Sequence, residues 1–256
     1  MSTKGFLKNP LVIFIVIWGL LNVIIYLAVP VDDANFENYT SIVYDSAVLI
    51  SALVLFYVFA FYKFKSFEGK FWLLMGIGMF LWFIAEVIWY YYISINENPF
   101  PSIADFFFLL AYIPIYAGIV YKSKFSKMKF DARKIAAMII SVLLFLIPAY
   151  IWVIQPIIDD GTYGFTEKAI SVAYPVLDII LLAFAVIIAL YWGSTVSKGW
   201  YIISLSFMIM TIADTLFAAM EWQENYDPRW ELLWVASYLL FAIGALYQKK
   251  YHESFL

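Results

Sequence analysis

Residues 70–89, KFWLLMGIGMFLWFIAEVIW, and residues 198–217, KGWYIISLSFMIMTIADTLF, decide the fold. Each opens on a lysine and stays apolar for about the twenty residues that a helix needs to cross a bilayer. In lipid the backbone must satisfy its own hydrogen bonds, so an apolar run of this length reads as a spanning helix. Laid over each other without a gap, the two runs match Trp72 with Trp200 and Glu86 with Asp214.

The likeness continues on both sides. Residues 104–124, ADFFFLLAYIPIYAGIVYKSK, lie over residues 230–250, WELLWVASYLLFAIGALYQKK. That places Asp105 over Glu231, Tyr112 over Tyr238, Gly118 over Gly244 and Tyr121 over Tyr247. Upstream, VYDSAVLI around Asp45 matches VLDIILLA around Asp178. Apolar runs between polar breaks give eight spans, at about 10–30, 41–62, 70–93, 103–122, 134–156, 168–193, 198–222 and 230–248. Helices 2–4 repeat as helices 6–8, with helices 1 and 5 leading each half. The expected fold is all-α: one transmembrane domain, 1–256, made of two four-helix repeats, 1–133 and 134–256. With four spans per unit, both halves keep one orientation, and the pseudo-two-fold axis runs along the membrane normal.

Composition agrees. Of the 256 residues, 65% are hydrophobic and 14% charged, against about 45–50% and 25% in soluble domains. Eight spans with short loops use the whole length and leave no room for a soluble catalytic domain. Cysteine is absent and His252 is the single histidine. Disulfides, thiolate metal sites, iron–sulfur clusters, bis-histidine haem and a serine–histidine–aspartate triad therefore have no material. No lysine lies in mid-span, so a retinal Schiff base is not expected, and no nucleic-acid partner is expected either. The Gly76-x-Gly78 pair reads as packing. No cofactor is indicated.

Lysine and arginine set the topology. With the N-terminus inside, 14 of the 16 basic residues fall in inside segments, among them Lys63, Lys65, Lys122, Lys124, Lys127, Lys129, Arg133, Lys134 and Lys198. Only Lys168 and Arg229 fall outside. This positive-inside pattern puts both termini in the cytoplasm of an integral cell-membrane protein. The first run follows Lys4 and Lys8 but lacks a small-residue cleavage site before Pro30, so it reads as a retained span. The basic stretch 122–134 is what topology alone requires beside a cytoplasmic helix end.

Seven acids lie in or at the edge of the spans: Asp45, Glu86, Asp105, Asp178, Asp214, Glu221 and Glu231. Six of them form the three repeat-related pairs. A charge at the bilayer centre costs about 2.5–3.5 kcal/mol on insertion scales, so such acids need a reason. Asp45, Asp105 and Glu231 are expected in the first turns of helices entering from outside. Glu86 and Asp214 fall in the outer half of helices running outward, and Asp178 is the deepest. The group gathers near Trp89, Tyr90, Tyr91, Tyr92, Trp222, Trp230 and Trp234.

Read as function, this is an acidic, aromatic-lined pocket open to the outside, formed by Asp45, Glu86, Asp105, Asp178, Asp214, Glu231, Trp89 and Trp234. It suits a cation, a hard metal ion such as calcium, magnesium or manganese, or a polar ligand. Read as structure, Ser102-x-x-Asp105 is a capping box, and Asp227-Pro228 starts a helix whose first turn holds Glu231. The aromatics then form an interfacial belt, Glu221 is an interface residue, and protonated acids tie helices together. His252 reads as a tail residue.

The runs AEVIW, PFPSIADFFFLLAYIPIYAGIV, AYPVLDIILLAFAV, IADTLFAAMEW and ELLWVASYLLFAIGAL resemble an eight-span N-terminal input domain found ahead of bacterial diguanylate cyclase and phosphodiesterase domains, and of some sensor histidine kinases. The resemblance covers helices 2–8 and is best at Pro101 to Tyr112 and Tyr174 to Asp178. It implies a membrane-embedded sensory module, with Glu86, Asp105, Asp178, Asp214, Glu231 and Trp234 at the family's recurrent polar and aromatic positions. The sequence ends at Leu256, just after helix 8, without the usual output domain. That leaves either a separate cytoplasmic signalling partner or a chain that continues. A weaker likeness runs to the eight-span lysoplasmalogenase family, whose histidine near helix 4 has no counterpart here.

Three functions follow in order. The first is a non-enzymatic sensor or ligand-binding module. The second is a small membrane hydrolase acting on a lipid through paired carboxylates or a carboxylate-bound metal. The third is a cation-coupled transporter, for which no span shows the glycine or proline break of an unwound midplane site. Pro114, Pro148 and Pro175 are expected to kink helices 4, 5 and 6 at most.

Overall fold

The computed structural model describes residues 3–33, 35–125, 131–193, 198–221 and 226–253. Among them there is no strand, and eight helices are long and apolar enough to cross a membrane. They are α1 (Pro10–Ala28), α2 (Phe36–Tyr62), α3 (Phe67–Ser94), α4 (Ile103–Phe125), α5 (Ala132–Ala149), α6 (Phe165–Ile188), α7 (Gly199–Glu221) and α8 (Leu232–Glu253). A short helix, Thr3–Leu7, precedes α1, and a 3-10 turn, Pro228–Glu231, leads into α8. Each expected span is present, with its ends displaced by a few residues. Trp222, Glu224, Lys127 and Lys129 lie outside the described residues.

Polar residues set the helix starts. Asn9 accepts a hydrogen bond from the Leu11 N–H at 2.9 Å, ahead of Pro10 at the first helical position. Ser66 does the same for the Gly69 N–H at 2.8 Å, and Asp131 for the Lys134 N–H at 2.9 Å. Helix α2 starts earlier than its hydropathy suggests. Phe36 is buried with its ring 6.0 Å from that of Tyr26, and Thr40 donates to the Phe36 carbonyl at 2.9 Å. The polar residues Glu37 and Asn38 hide this turn in the sequence. Asp45 is therefore not in a first turn but nine residues along α2, about 13 Å from its start at 1.5 Å per residue.

Proline changes α5 more than a kink. Pro148 lies in the last turn of its α-helical part, and the helix then widens into a π turn, Tyr150–Ile154, before resuming as Gln155–Asp159. Proline removes one i→i−4 hydrogen bond from the helix, and the widened turn follows it directly. Helix α6 closes on a second π turn, Ala189–Gly193.

The chain packs as two sequential groups, α2–α3–α4 and α6–α7–α8, closed by contacts of α8 with α2 and of α4 with α6. Helix α1 lies on α2 and α8, and α5 lies on α6. The two most apolar spans, α1 and α5, are the least buried, while α8, the least apolar, is the most buried. Lipid tails solvate leucine and isoleucine as well as protein does, so apolarity marks the lipid-facing helices and polarity the central ones.

Small residues bring the central helices together. A Cβ on Gly78 would lie 2.4 Å from Ile115 Cγ1 and 3.2 Å from the Ala111 carbonyl oxygen. On α7 and α8 the corresponding contact is a hydrogen bond from Ser206 Oγ to the Ser237 carbonyl at 2.8 Å. A Cβ on Gly118 would lie 2.7 Å from Met75 Cε, and one on Gly244 would lie 2.7 Å from Ile203 Cγ1. Between α3 and α7, the buried Trp72 and Trp200 rings stack at 5.8 Å and 14°. Nearer the other end of these helices, Trp89 meets Phe217 at 6.5 Å.

The end of the bundle holding Trp72 and Trp200 also contains a buried cation that sequence reading assigned to a loop. Lys122, 3% exposed in the last turns of α4, pairs with Glu68 of α3 at 2.6 Å. Its ammonium sits 4.6 Å from the Trp200 ring centroid, a favourable geometry for a cation over an indole. His252 is not a solitary tail residue: α8 continues past it, and its ring lies 5.1 Å from Tyr62.

Candidate functional site

At the other end of the bundle the acids sit on helix faces set by 3.6-residue periodicity. Trp82, Glu86 and Trp89 share a face of α3; Asp105, Phe108 and Tyr112 share one of α4; Glu231, Trp234 and Tyr238 share one of the turn leading into α8 and α8 itself. Glu86 lies eight residues before the end of α3, and Asp214 lies seven before the end of α7.

Tyrosines and a tryptophan, not basic residues, face these acids. Tyr112 of α4 donates to Asp178 Oδ1 of α6 at 2.6 Å. Trp234 Nε1 of α8 donates to Asp214 Oδ1 of α7 at 2.7 Å. Asp178 and Asp214 lie carboxyl to carboxyl within hydrogen-bonding reach. Tyr44 of α2 donates to Glu86 Oε1 of α3 at 2.8 Å, and its ring stands 6.1 Å from that of Tyr238. Tyr26 of α1 donates to Glu231. Among the described residues, none of Asp45, Glu86, Asp105, Asp178, Asp214 and Glu231 forms an ion pair with a lysine, arginine or histidine.

Asp105 is fully engaged. One carboxylate oxygen accepts the Ser102 N–H at 2.7 Å and the other accepts the Tyr174 hydroxyl at 2.7 Å, while Ser102 Oγ accepts the Ala104 N–H at 3.1 Å. It caps α4 as its Ser-x-x-Asp spacing implies, and it also ties α4 to α6. Asp227 caps the turn into α8 by accepting the Arg229 N–H at 3.0 Å. The Arg229 side chain, 2.5 Å away, holds the Asp227 carboxyl below the usual carboxylate range, so this arginine is occupied outside the acidic group.

The remaining acids surround one space. Glu86 lies within electrostatic range of Asp45 on α2, Asp214 on α7 and Glu231 at the start of α8. A side chain near carboxylates on three other helices faces the gap between them, not lipid. Yet Glu86, Asp45, Asp214 and Glu231 are only half-buried. Beside these acids runs a continuous chain of aromatic rings: Tyr44 meets Trp234 at 6.4 Å, Trp234 meets Phe217 at 5.5 Å, Phe217 meets Trp89 at 6.5 Å and Trp89 meets Phe108 at 6.3 Å. Asp178 is fully buried, and its Oδ2 makes no hydrogen bond with a described donor.

The structure thus brings Asp45, Glu86, Asp214, Glu231, Trp89 and Trp234 together, with Asp178 reached through Asp214 and Asp105 set apart in a helix cap. Tyr26, Tyr44, Tyr112 and Tyr238 belong to the same network and are absent from the sequence-derived site. Tyr112 and Tyr238 stand seven residues after a repeated acid, and that spacing was the available signal. Among the described residues no three carboxylates converge closely enough to hold a metal ion. Comparison with family models, curated proteins and solved structures found no match.

Proposed function

We propose that this protein is a membrane sensor or ligand-binding module whose site is a cleft formed by this acidic group. One observation supports the reading: carboxylates from α2, α3, α7 and the start of α8 lie half-buried within electrostatic range of one another beside a chain of aromatic rings, without a basic partner among the described residues. The cleft's hydrogen bonds join α2 to α3 and α7 to α8, and the Tyr112–Asp178 bond joins α4 to α6. A ligand that altered these bonds would shift the two helix groups relative to each other.

In this reading the cleft opens outward and the basic end faces the cytoplasm, in keeping with the lysine distribution, and the message passes to a cytoplasmic signalling partner. The resemblance to input domains of cyclases and kinases supports the same view. Descent from a duplicated four-helix unit is supported by matched contacts at matched positions: Gly118 on Met75 and Gly244 on Ile203, Trp89 on Phe108 and Phe217 on Trp234, and the Trp72–Trp200 stack between the two units.

A lipid hydrolase is the second reading, favoured by the adjacent Asp178 and Asp214 carboxyls, which suit a general acid–base pair. Thermal unfolding of the purified protein with cations, lipids and polar metabolites separates the readings. The sensor reading expects stabilisation of wild type, loss of that stabilisation in Glu86→Gln, Asp178→Asn and Asp214→Asn, and no turnover. Lipid turnover that vanishes in Asp178→Asn or Asp214→Asn would establish the hydrolase. Ligand binding unchanged in all three variants would make the acids scaffold.

A further inference from the structure

We infer that the groove between the last turn of α1 and the first turns of α2 binds one acyl chain of a membrane lipid. The inference goes beyond the acidic site and does not require it.

The groove has a volume of about 360 Å³ and is lined by Ile25, Val29, Tyr39, Ile42 and Val43. All but Tyr39 are β-branched aliphatics, whose first side-chain torsion is stiff, so the walls keep their shape and do not fold into the space between them. Beneath them, Ile25, Val29 and Val43 pack with the buried Tyr26 and Phe36, which gives the groove a firm floor. Ile42 stays 62% exposed and Tyr39 51%, so no described helix closes the groove from above.

Position decides what covers it. Both helices are long and apolar enough to cross a membrane, and the groove borders the exposed apolar residues Ile24 and Leu27 of α1. Left empty, it would forfeit the dispersion contacts of its lining. Lipid tails are as apolar as leucine, so shape, and not a hydrophobic gain, draws a tail in from the bilayer. A helix of a second copy, about 10 Å across with its side chains, is too wide for a space of this size, whereas a single polymethylene chain is not. Tyr39, in the first turn of α2, stands at the mouth, where tyrosines meet the headgroup level of a bilayer. The floor matters as well. Tyr26 donates to Glu231, so a chain in the groove packs on the side chains that position the ring holding this acid.

The test uses the absence of cysteine from the chain. Ala28→Cys, on the exposed last residue of α1 beside Val29, carries a fluorophore as the single label of the full chain. Ile140→Cys on α5, 65% exposed, is the control. The labelled chains, purified in detergent, are titrated with phosphatidylcholine brominated in its acyl chains and with a brominated fatty acid. Quenching at Ala28→Cys should saturate at a single lipid per chain, while quenching at Ile140→Cys should rise in proportion to the lipid content of the micelle. Saturation by either probe upholds the assignment: by both if the chain suffices, by the phospholipid alone if the headgroup level takes part. Ile42→Phe, at an exposed wall position, and Ile25→Phe each put a ring in the groove. They should weaken the saturable quenching about tenfold, because the ring must be displaced before the chain enters. Proportional quenching at both labels would overturn the inference, as would saturation that neither ring variant alters. Disulfide formation between Ala28→Cys chains in the membrane would place a second copy on this face and overturn it too. Glu86→Gln should leave the saturation unchanged, and its loss there would move the lipid to the acidic site and overturn the groove assignment alone.

Discussion

A carboxylate in an apolar run is conspicuous, and a tyrosine is not. Asp178 and Asp214 stood out in the sequence because each interrupts a spanning helix. Tyr112, which donates to Asp178 at 2.6 Å, was marked only by its seven-residue spacing from Asp105, because its ring is as apolar as its neighbours and only its hydroxyl carries the hydrogen bond. Asp45 was legible as an acid but misplaced in depth, since Glu37 and Asn38 disguise the first turn of α2 as a loop. The Tyr112–Asp178 bond makes a direct prediction. Tyr112→Phe keeps the ring packing and removes the donor, leaving an acceptor buried without it, at a cost of about 1–3 kcal/mol. Unfolding of Tyr112→Phe, Asp178→Asn and the double variant should show coupling between the sites. Strict additivity would mean that the hydrogen bond contributes nothing to stability.

At the scale of elements, the eight helices were readable because length and apolarity are sufficient for a span. Their order around the bundle was less so. That α1 and α5 are peripheral follows from their being the most apolar, a comparison between spans that periodicity within any one of them does not offer. Pro148 was visible as a disruption, but not the form it takes, a π turn that begins two residues later at Tyr150. The Gly76-x-Gly78 pair was read as packing, and the α3–α4 contact gives it content. Gly78→Ala puts a Cβ at 2.4 Å from Ile115 Cγ1, and overpacking of this kind costs about 1–3 kcal/mol. Gly161, with nothing within 4 Å of an added Cβ, is the control. Thermal unfolding should place Gly78→Ala well below wild type and Gly161→Ala beside it. Equal melting of the two would show that α3 and α4 do not approach as closely as described.

For the whole molecule, the basic and acidic ends were legible as a count of lysines and acids, while the meeting of the acids was not. Periodicity places an acid on a face of its own helix. It does not say that acids from α2, α3, α7 and the start of α8 come within range of one another. That depends on helix neighbours, and only the fold supplies them. The same holds at the basic end, where Lys122 looked like one more topological charge and instead forms a buried pair with Glu68 over Trp200. The two ends are joined by α3 and α7, which carry Trp72 and Trp200 at one end and Trp89 and Phe217 at the other.

The central proposal is that Glu86 stands in an acidic site accessible from the outer side of the membrane. The chain has no cysteine, so Glu86→Cys would be its only thiol. Reaction of that thiol in intact cells, with membrane-impermeant reagents of opposite charge added outside, tests the claim most directly. The account predicts labelling by both, faster with the cationic reagent because Asp45, Asp214 and Glu231 remain, with the preference shrinking as salt screens them. Labelling only after the membrane is opened, or only after unfolding, would contradict it.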